Sequence, residues 1–389
     1  MMKTLNYKHM QSHISNPFSF GHIVRDKDFC NRKEEISTLT NYIKDGYSVW
    51  LYSPRRYGKS SLIHKVFNDN KKIKTIYLDL YNVKSLDDFC KKYAAAIAKN
   101  LFSWNQEMSK LISKFTGYFT NLQAAVSFDE NGVPSFRLEK GEIQNQIDVE
   151  TILNIPAQIS EKSKMPICIA FDEFQEIKRI EPFLINWMRS SFQYHDNISY
   201  VFLGSQQSLM EDIFASDYSP FYEFAVKMNI APIKKHEWEH FINQKFDEKG
   251  LSISSENIRQ IIHKSGGHPH FTQYFASVVF DLIREGVDQE RNDFTKLWLE
   301  KILQSQSFFF QDTYDQLTNI QRKILSTIAQ LGDEQELFSS ASRDLYKLPA
   351  SSSILRAIES LTRKNIIVKE DLRYRLINPI FREWLIQLS

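Results

Sequence analysis

Glycine is scarce in this chain, with 12 among 389 residues. Each one is informative, because glycine is kept where a turn or a close backbone approach needs it. Cysteine is scarcer still: Cys30, Cys90 and Cys168 are scattered, with no CxxC pair. That argues against a disulfide framework and a cysteine zinc site, and it fits a reducing cytoplasm. No stretch reaches the ~20 apolar residues of a membrane helix. The opening MMKTLNYKHMQSHIS has no apolar core of the kind a secretory leader carries. A cytoplasmic protein with no membrane partner is expected. An excess of one charge is lacking too, since 49 Lys and Arg face 47 Asp and Glu. The balance argues against a surface that grips nucleic acid everywhere, but it leaves room for one basic face.

What is present is apolar: 42% of the residues are hydrophobic and 13% aromatic, enough for a sizeable core. The length suits two or three domains. The first part alternates strand and helix signals. SVWLY (48–52), KTIYLDL (74–80), the apolar MPICIAFDEF, ISYVFLGS and AVKMNI (225–230) read as strands of a parallel sheet. Helical spacing lies between them, over 60–67, 85–102, near 148–162 and over 181–194. Residues 103–147 break this rhythm. A helix-like LISKFTGYF precedes alternating residues around Asn131-Gly132, a hairpin signal. The pattern predicts a core over 1–234 with a helix-hairpin insertion at about 103–147. Helices alone are predicted over 235–305. Over 306–389 three helices (318–331, 341–346, 352–364) and a two-stranded ribbon predict a winged helix.

SPRRYGKSSL (53–62) sits between the first strand and its helix. A phosphate cradle needs converging backbone N–H groups, a helix N-terminus and a cation. Gly58 allows close approach, Lys59 suits the β- and γ-phosphates, and Ser60 suits Mg²⁺. The usual first glycine of such a loop is Ser53 here. A basic surface turn is the ordinary alternative for the tripeptide alone. ICIAFDE then ends a buried strand in two carboxylates. Asp172 stands where a Mg²⁺-water ligand belongs, and Glu173 where a base can orient the attacking water. ISYVFLG ends in Ser205-Gln206, polar groups suited to sensing a γ-phosphate. Ligands of open α/β sheets sit beyond such strand ends. Together the motifs predict ATP or ADP with Mg²⁺ as ligands.

Taken jointly, these motifs resemble the archaeal-type ATPases of the STAND group of P-loop NTPases, whose loop reads PRRxGKTS. The resemblance runs over nearly the whole chain. It implies an ASCE/AAA+-like parallel-sheet core, a helical lid and a C-terminal winged helix. It implies a nucleotide loop spanning Ser53, Pro54, Arg55, Arg56, Tyr57, Gly58, Lys59, Ser60 and Ser61, with Lys59 and Glu173 catalytic. FGHIVRDKDFCNRKEEI (20–36) resembles the family's F-x-G-R-E entry, although Asn31 and Lys33 replace the usual Gly and Glu. That implies Val24, Phe29 and Arg32 as base contacts. FDEFQEI, FLGSQQSLMEDIF and YRLINPIFREWL resemble the family's acidic, sensor and terminal signatures. Gly267-His268-Pro269 resembles the GxP turn of a lid that closes on nucleotide, implicating His268 and Pro269.

One departure stands out. Many relatives carry P-L-Y-G-R after the sensor strand, whereas this chain has Pro220-Phe221-Tyr222-Glu223-Phe224. Phe224 replaces the arginine, leaving Arg189 and Arg179 as weak substitutes. Binding is therefore a firmer expectation than fast hydrolysis.

Three function classes stay open: a switch ATPase of signalling or defence type that forms a homo-oligomer with ATP, a DNA-associated loader or regulator, and a non-hydrolysing nucleotide sensor. For 306–389 the partner is DNA or a protein. Arg356, Arg363, Lys364, Lys369, Arg373 and Arg375 favour DNA, while Glu359, Glu370 and Asp371 interrupt that face. His236-Glu237-Trp238-Glu239-His240 spells the zinc-protease HExxH. Trp238, Phe241, Ile242 and Lys245 define a packed stripe that leaves both histidines off it, so a lid helix is expected instead. His263, His268 and His270 are read as packing or solvated histidines rather than metal ligands.

Overall fold

The computed structural model describes residues 14–101, 124–128, 134–138, 146–332, 337–370 and 373–388. These divide into two compact units. An α/β unit holds Arg32–Ser53 and the described residues of Lys59–Ile230. A helical unit holds 14–31, Pro54–Gly58 and the described residues from 231 onward.

The α/β unit contains α1 (Lys33–Lys44), β1 (Val49–Tyr52), α2 (Lys59–Asp69), β2 (Lys74–Asp79) and α3 (Leu86–Leu101). A hairpin of β3 (Ala124–Phe128) and β4 (Pro134–Leu138) follows. Next come α4 (Gln146–Leu153), α5 (Ile155–Ser163), β5 (Ile167–Asp172), α6 (Ile177–Ile180) and α7 (Leu184–Phe192). The unit ends with β6 (Ile198–Gly204), α8 (Gln207–Phe214) and β7 (Val226–Asn229). The main sheet is parallel throughout, in the order β2-β5-β6-β1-β7. Every residue of β5 and β6 is buried, so these strands are apolar on both faces, as central strands of a covered parallel sheet must be. β7 is short, lies at an edge and carries Lys227, which blunts further strand pairing. Phe171, Phe174, Phe202, Phe214 and Phe221 interlock in the core, with the Phe174 and Phe202 rings 4.5 Å apart.

The predicted hairpin strands are present, whereas Asn131-Gly132 and the helix-like LISKFTGYF lie outside the described residues. The single helix predicted near 148–162 is two. Pro156 opens α5, and its missing N–H cannot continue the ladder of α4.

The helical unit contains α9 (Lys235–Asp247), α10 (Ser255–Ser265), α11 (Pro269–Arg284) and α12 (Phe294–Gln304). It continues with α13 (Ser307–Asp315), α14 (Asn319–Leu331), α15 (Ser340–Leu345) and α16 (Ser351–Arg363). The antiparallel strands β8 (Ile367–Glu370) and β9 (Arg373–Leu376) then lead to α17 (Pro379–Leu388). Helices α13 and α17 add to the three helices read from the sequence. Trp238 and Trp298 are fully buried in the core of this unit. Thr318 and Gln321 close a capping box at the start of α14.

Candidate functional site

In the α/β unit, β1 delivers the chain to Ser53 and α2 begins at Lys59. Both residues are buried. The Lys59 ammonium donates to the Ser53 carbonyl oxygen at 2.8 Å, with Ser53 Oγ at 3.4 Å. The stem of the loop is thus closed by its own lysine. Ser61 is buried in the first turn of α2.

Ser60, the second residue of the same helix, donates from Oγ to Asp172 Oδ2 at 2.5 Å. The two residues lie 112 positions apart, and parallel pairing brings the end of β5 to the start of α2. Tyr77 Oη donates to the same Asp172 oxygen. Burial, then the Asp172 carboxylate, pushes the Tyr77 phenol well above its ordinary value, which keeps it a donor. Asp172 Oδ1 accepts from the Glu173 N–H at 2.9 Å.

Glu173 has φ of 51°, uncommon for a non-glycine residue and typical of functional turns. Its Oε2 accepts from Ser205 Oγ at 2.8 Å and from Gln175 Nε2. The acidic strand end and the sensor strand end are therefore joined through one carboxylate oxygen. Gln206 stands at the N-cap position of α8 in extended backbone, without a side-chain bond to the helix. Arg32 is buried, holds φ of 64° and donates to Glu35 at 2.8 Å. Asp79, opposite Asp172 in the sheet register, is held above its ordinary value by burial and by the nearby Asp172 and Glu173 charges.

The substitutes for the missing arginine are engaged elsewhere. Arg189 lies over the Phe224 ring at 4.9 Å and donates to the Pro220 oxygen at 3.0 Å, bracing the segment that lacks the arginine. Arg179 bonds Glu176 and the Val83 carbonyl.

The helical unit holds Val24, Phe29, Pro54–Gly58, His268 and Pro269. Val24, Phe29 and Pro269 are half-buried, Pro54 is buried, and Arg55 is exposed. Gly58 has φ of +87°, which favours glycine at the end of the loop. Arg56 Nη1 meets His270 Nε2 at 3.2 Å, and the Tyr57 ring packs edge-on against His268 at 4.5 Å. Burial pushes His268 down to about 3 and His270 down to about 4, so both are neutral at pH 7. His268 also caps α11, accepting the His270 N–H at 3.2 Å.

Gly267 has φ of +69°, and a Cβ there would meet the Ile233 carbonyl oxygen at 2.9 Å. Its own carbonyl accepts from Ile233 N at 3.3 Å and from Trp238 Nε1 at 3.0 Å. Trp238, Phe241, Ile242 and Lys245 are buried on α9, while His236 and His240 are exposed. Glu237 accepts from Asn31.

Sequence reasoning missed Tyr77, Asp79 and Gln175. The first two carried a signal: they stand two apart in KTIYLDL, so they share one face of a strand. Gln175 carried none, because only the turn after β5 brings it back to Glu173.

A family model described as "ATPase domain predominantly from Archaea" matches residues 29–274, and one described as "Probable winged helix domain" matches residues 308–387. No curated protein sequence matches the chain. Among solved structures, the chain is similar to the Walker-type ATPase PABY2304 of Pyrococcus abyssi, with 21% identity and a TM-score of 0.64. That similarity covers 95% of this chain and 99% of that one. It is also similar to the ORC2 protein of Aeropyrum pernix, solved as ADPNP-ADP complexes, with 13% identity and a TM-score of 0.50. There the coverage is 97% of this chain and 98% of the other. Both structures share the P-loop NTPase fold read from the sheet. Among the described residues no helix is long and apolar enough to cross a membrane. With the first model matching more than half of its length, the chain belongs to the family of ATPase domains found predominantly in Archaea, whose activity is ATP hydrolysis.

Proposed function

We propose that this ATPase is a nucleotide-controlled conformational switch of the STAND group, of signalling or defence type. The observation that carries the reading is the seating of Arg56 and Tyr57 against His270 and His268. Residues of the phosphate loop are packed on the first turn of a lid helix, so a change in what the loop holds is felt by that helix. In this reading the lid covers 235–305, the winged helix 306–389 and the core 1–234.

The chemistry follows from the strand ends. Lys59 would hold the β- and γ-phosphates, within a loop spanning Ser53 to Ser61. Ser60 and Asp172 would hold Mg²⁺, Asp172 through water. A hydroxyl and a carboxylate 2.5 Å apart form a hard oxygen donor pair, which suits that ion. When bound, the ion neutralises phosphate charge. Glu173 takes a proton from the attacking water, and Ser205 and Gln175 fix the direction of its carboxylate. Ser205 and Gln206 would register the γ-phosphate. Val24, Phe29 and Arg32 remain the proposed base contacts, with His268 and Pro269 on the lid side.

Nucleotide binding and phosphate release by the purified chain test this reading, together with its mass with and without ATP. Lys59→Ala is expected to lower hydrolysis by on the order of 10²-fold or more and to remove any ATP-dependent increase in mass. A wild-type chain that binds neither ATP nor ADP overturns the proposal. Binding without phosphate release, indifferent to Glu173→Gln, turns it into a sensor.

A second reading, a DNA-associated loader or regulator, is favoured by the exposed Arg356, Arg363, Lys364, Lys369 and Arg373. Exposed Glu359 lies on the same helix as Arg356 and Arg363. Duplex affinity that falls with salt, and is lost when those cations become alanine, supports DNA over a protein partner.

A further inference from the structure

We infer that Tyr77 is a positioning residue for Asp172, fixing the carboxylate that the proposed Mg²⁺ site requires. The inference rests on the reading of Asp172 as a ligand of that site.

β2 supplies no residue to the motifs that mark the site, yet it borders β5 along its whole length. Asp79 pairs in register with Asp172, and Tyr77 stands two residues before it on the same face of β2. The Tyr77 ring lies against the His64 ring of α2 at 4.6 Å, so the direction of its hydroxyl is set by packing. That hydroxyl donates to Asp172 Oδ2, the oxygen that also accepts from Ser60. The Glu173 N–H holds Oδ1 from the other side. The carboxylate is thus gripped from three elements and cannot rotate.

The type of donor matters as much as its position. Asp79 stands in register with Asp172, so a second carboxylate lies at the same end of the sheet and repels it. A lysine or arginine in place of Tyr77 would hold Asp172, but it would cancel the charge a cation needs. A neutral phenol fixes the direction and leaves the charge in place. If Ser60 turns to the metal, Tyr77 remains as a side-chain donor that holds Oδ2.

The test is a calorimetric titration of ADP at graded Mg²⁺ concentrations. For Tyr77→Phe, the Mg²⁺ midpoint for tightening ADP is expected to rise about tenfold, as for other groups that orient metal ligands. ADP affinity in EDTA and the melting temperature without nucleotide should stay at wild-type values. In an Asp172→Asn background, Tyr77→Phe should add nothing, because its effect passes through the lost carboxylate. Equal midpoints for Tyr77→Phe and wild type overturn the inference, as do additive effects in the double variant. If Mg²⁺ does not alter ADP affinity in the wild type, the Mg²⁺ site itself falls, and the role of Tyr77 with it.

Discussion

Asp172 and Glu173 in the α/β unit, and His268 and His270 in the helical unit, are two pairs of polar side chains treated in opposite ways. The acids are surrounded by donors: Ser60, Tyr77 and the Glu173 N–H for one, Ser205 and Gln175 for the other. The histidines are held among rings, His268 between Tyr57 and Phe271 at 4.5 and 4.6 Å, and burial keeps them neutral. The first arrangement keeps acceptors aimed and ready for chemistry, since a fully satisfied polar network fixes direction. The second is suited to the proposed relay of position, since a packed interior is stiff. Under the proposed function, the acids serve the reaction and the histidines the response.

Four changes would break or sharpen that contrast. The largest effect is expected on the acids. Glu173→Gln should reduce phosphate release by about 10²- to 10⁴-fold while nucleotide affinity stays within about twofold of wild type. Undiminished turnover would mean that the donor network serves structure alone.

Gly267→Ala comes next. The left-handed backbone and the 2.9 Å approach to the Ile233 carbonyl should cost about 1–3 kcal/mol, read as a lower midpoint in denaturant. A neutral result would show that the turn before α11 is soft.

His268→Asn keeps an N-cap acceptor and removes a base. In the native protein the folded histidine titrates at about 3, against 6.5 when unperturbed. The unfolded chain binds the extra proton in that window. Stability is therefore complete above pH 6.5 and falls as pH drops toward 3. The variant should lower the slope of stability against pH in this window by about one proton equivalent. An unchanged slope would mean that His268 is charged in the fold.

The smallest effect belongs to Thr318→Ala. Loss of the capping box should cost about 1 kcal/mol, visible in thermal melts, with phosphate release unchanged.

Much of the fold was legible. KTIYLDL, ICIAFDEF and ISYVFLGS are apolar runs of strand length, and the strands lie where those runs are. The loop, the two carboxylates and Ser205 were legible because each follows such a strand. The division near Asn154 was hidden because apolar spacing continues through Pro156, and only the missing N–H interrupts the ladder. Tyr77 was hidden in plain alternation, since a tyrosine on a strand is ordinarily packing. Its one local cue, the shared strand face with Asp79, does not say that its hydroxyl meets a neighbouring strand end.

The order of polar and apolar residues along the chain, by itself, set which segments become strands and helices and which turns follow them. Local hydrogen bonding and side-chain alternation act over only a few residues. The tertiary structure decided the rest: that Ser60 and Tyr77 share one oxygen of Asp172, that Ser205 holds Glu173, and that Tyr57 rests on His268. Those contacts join residues from 32 to more than 200 positions apart. Strand order and helix packing fix them, and neither is written in any single stretch of sequence.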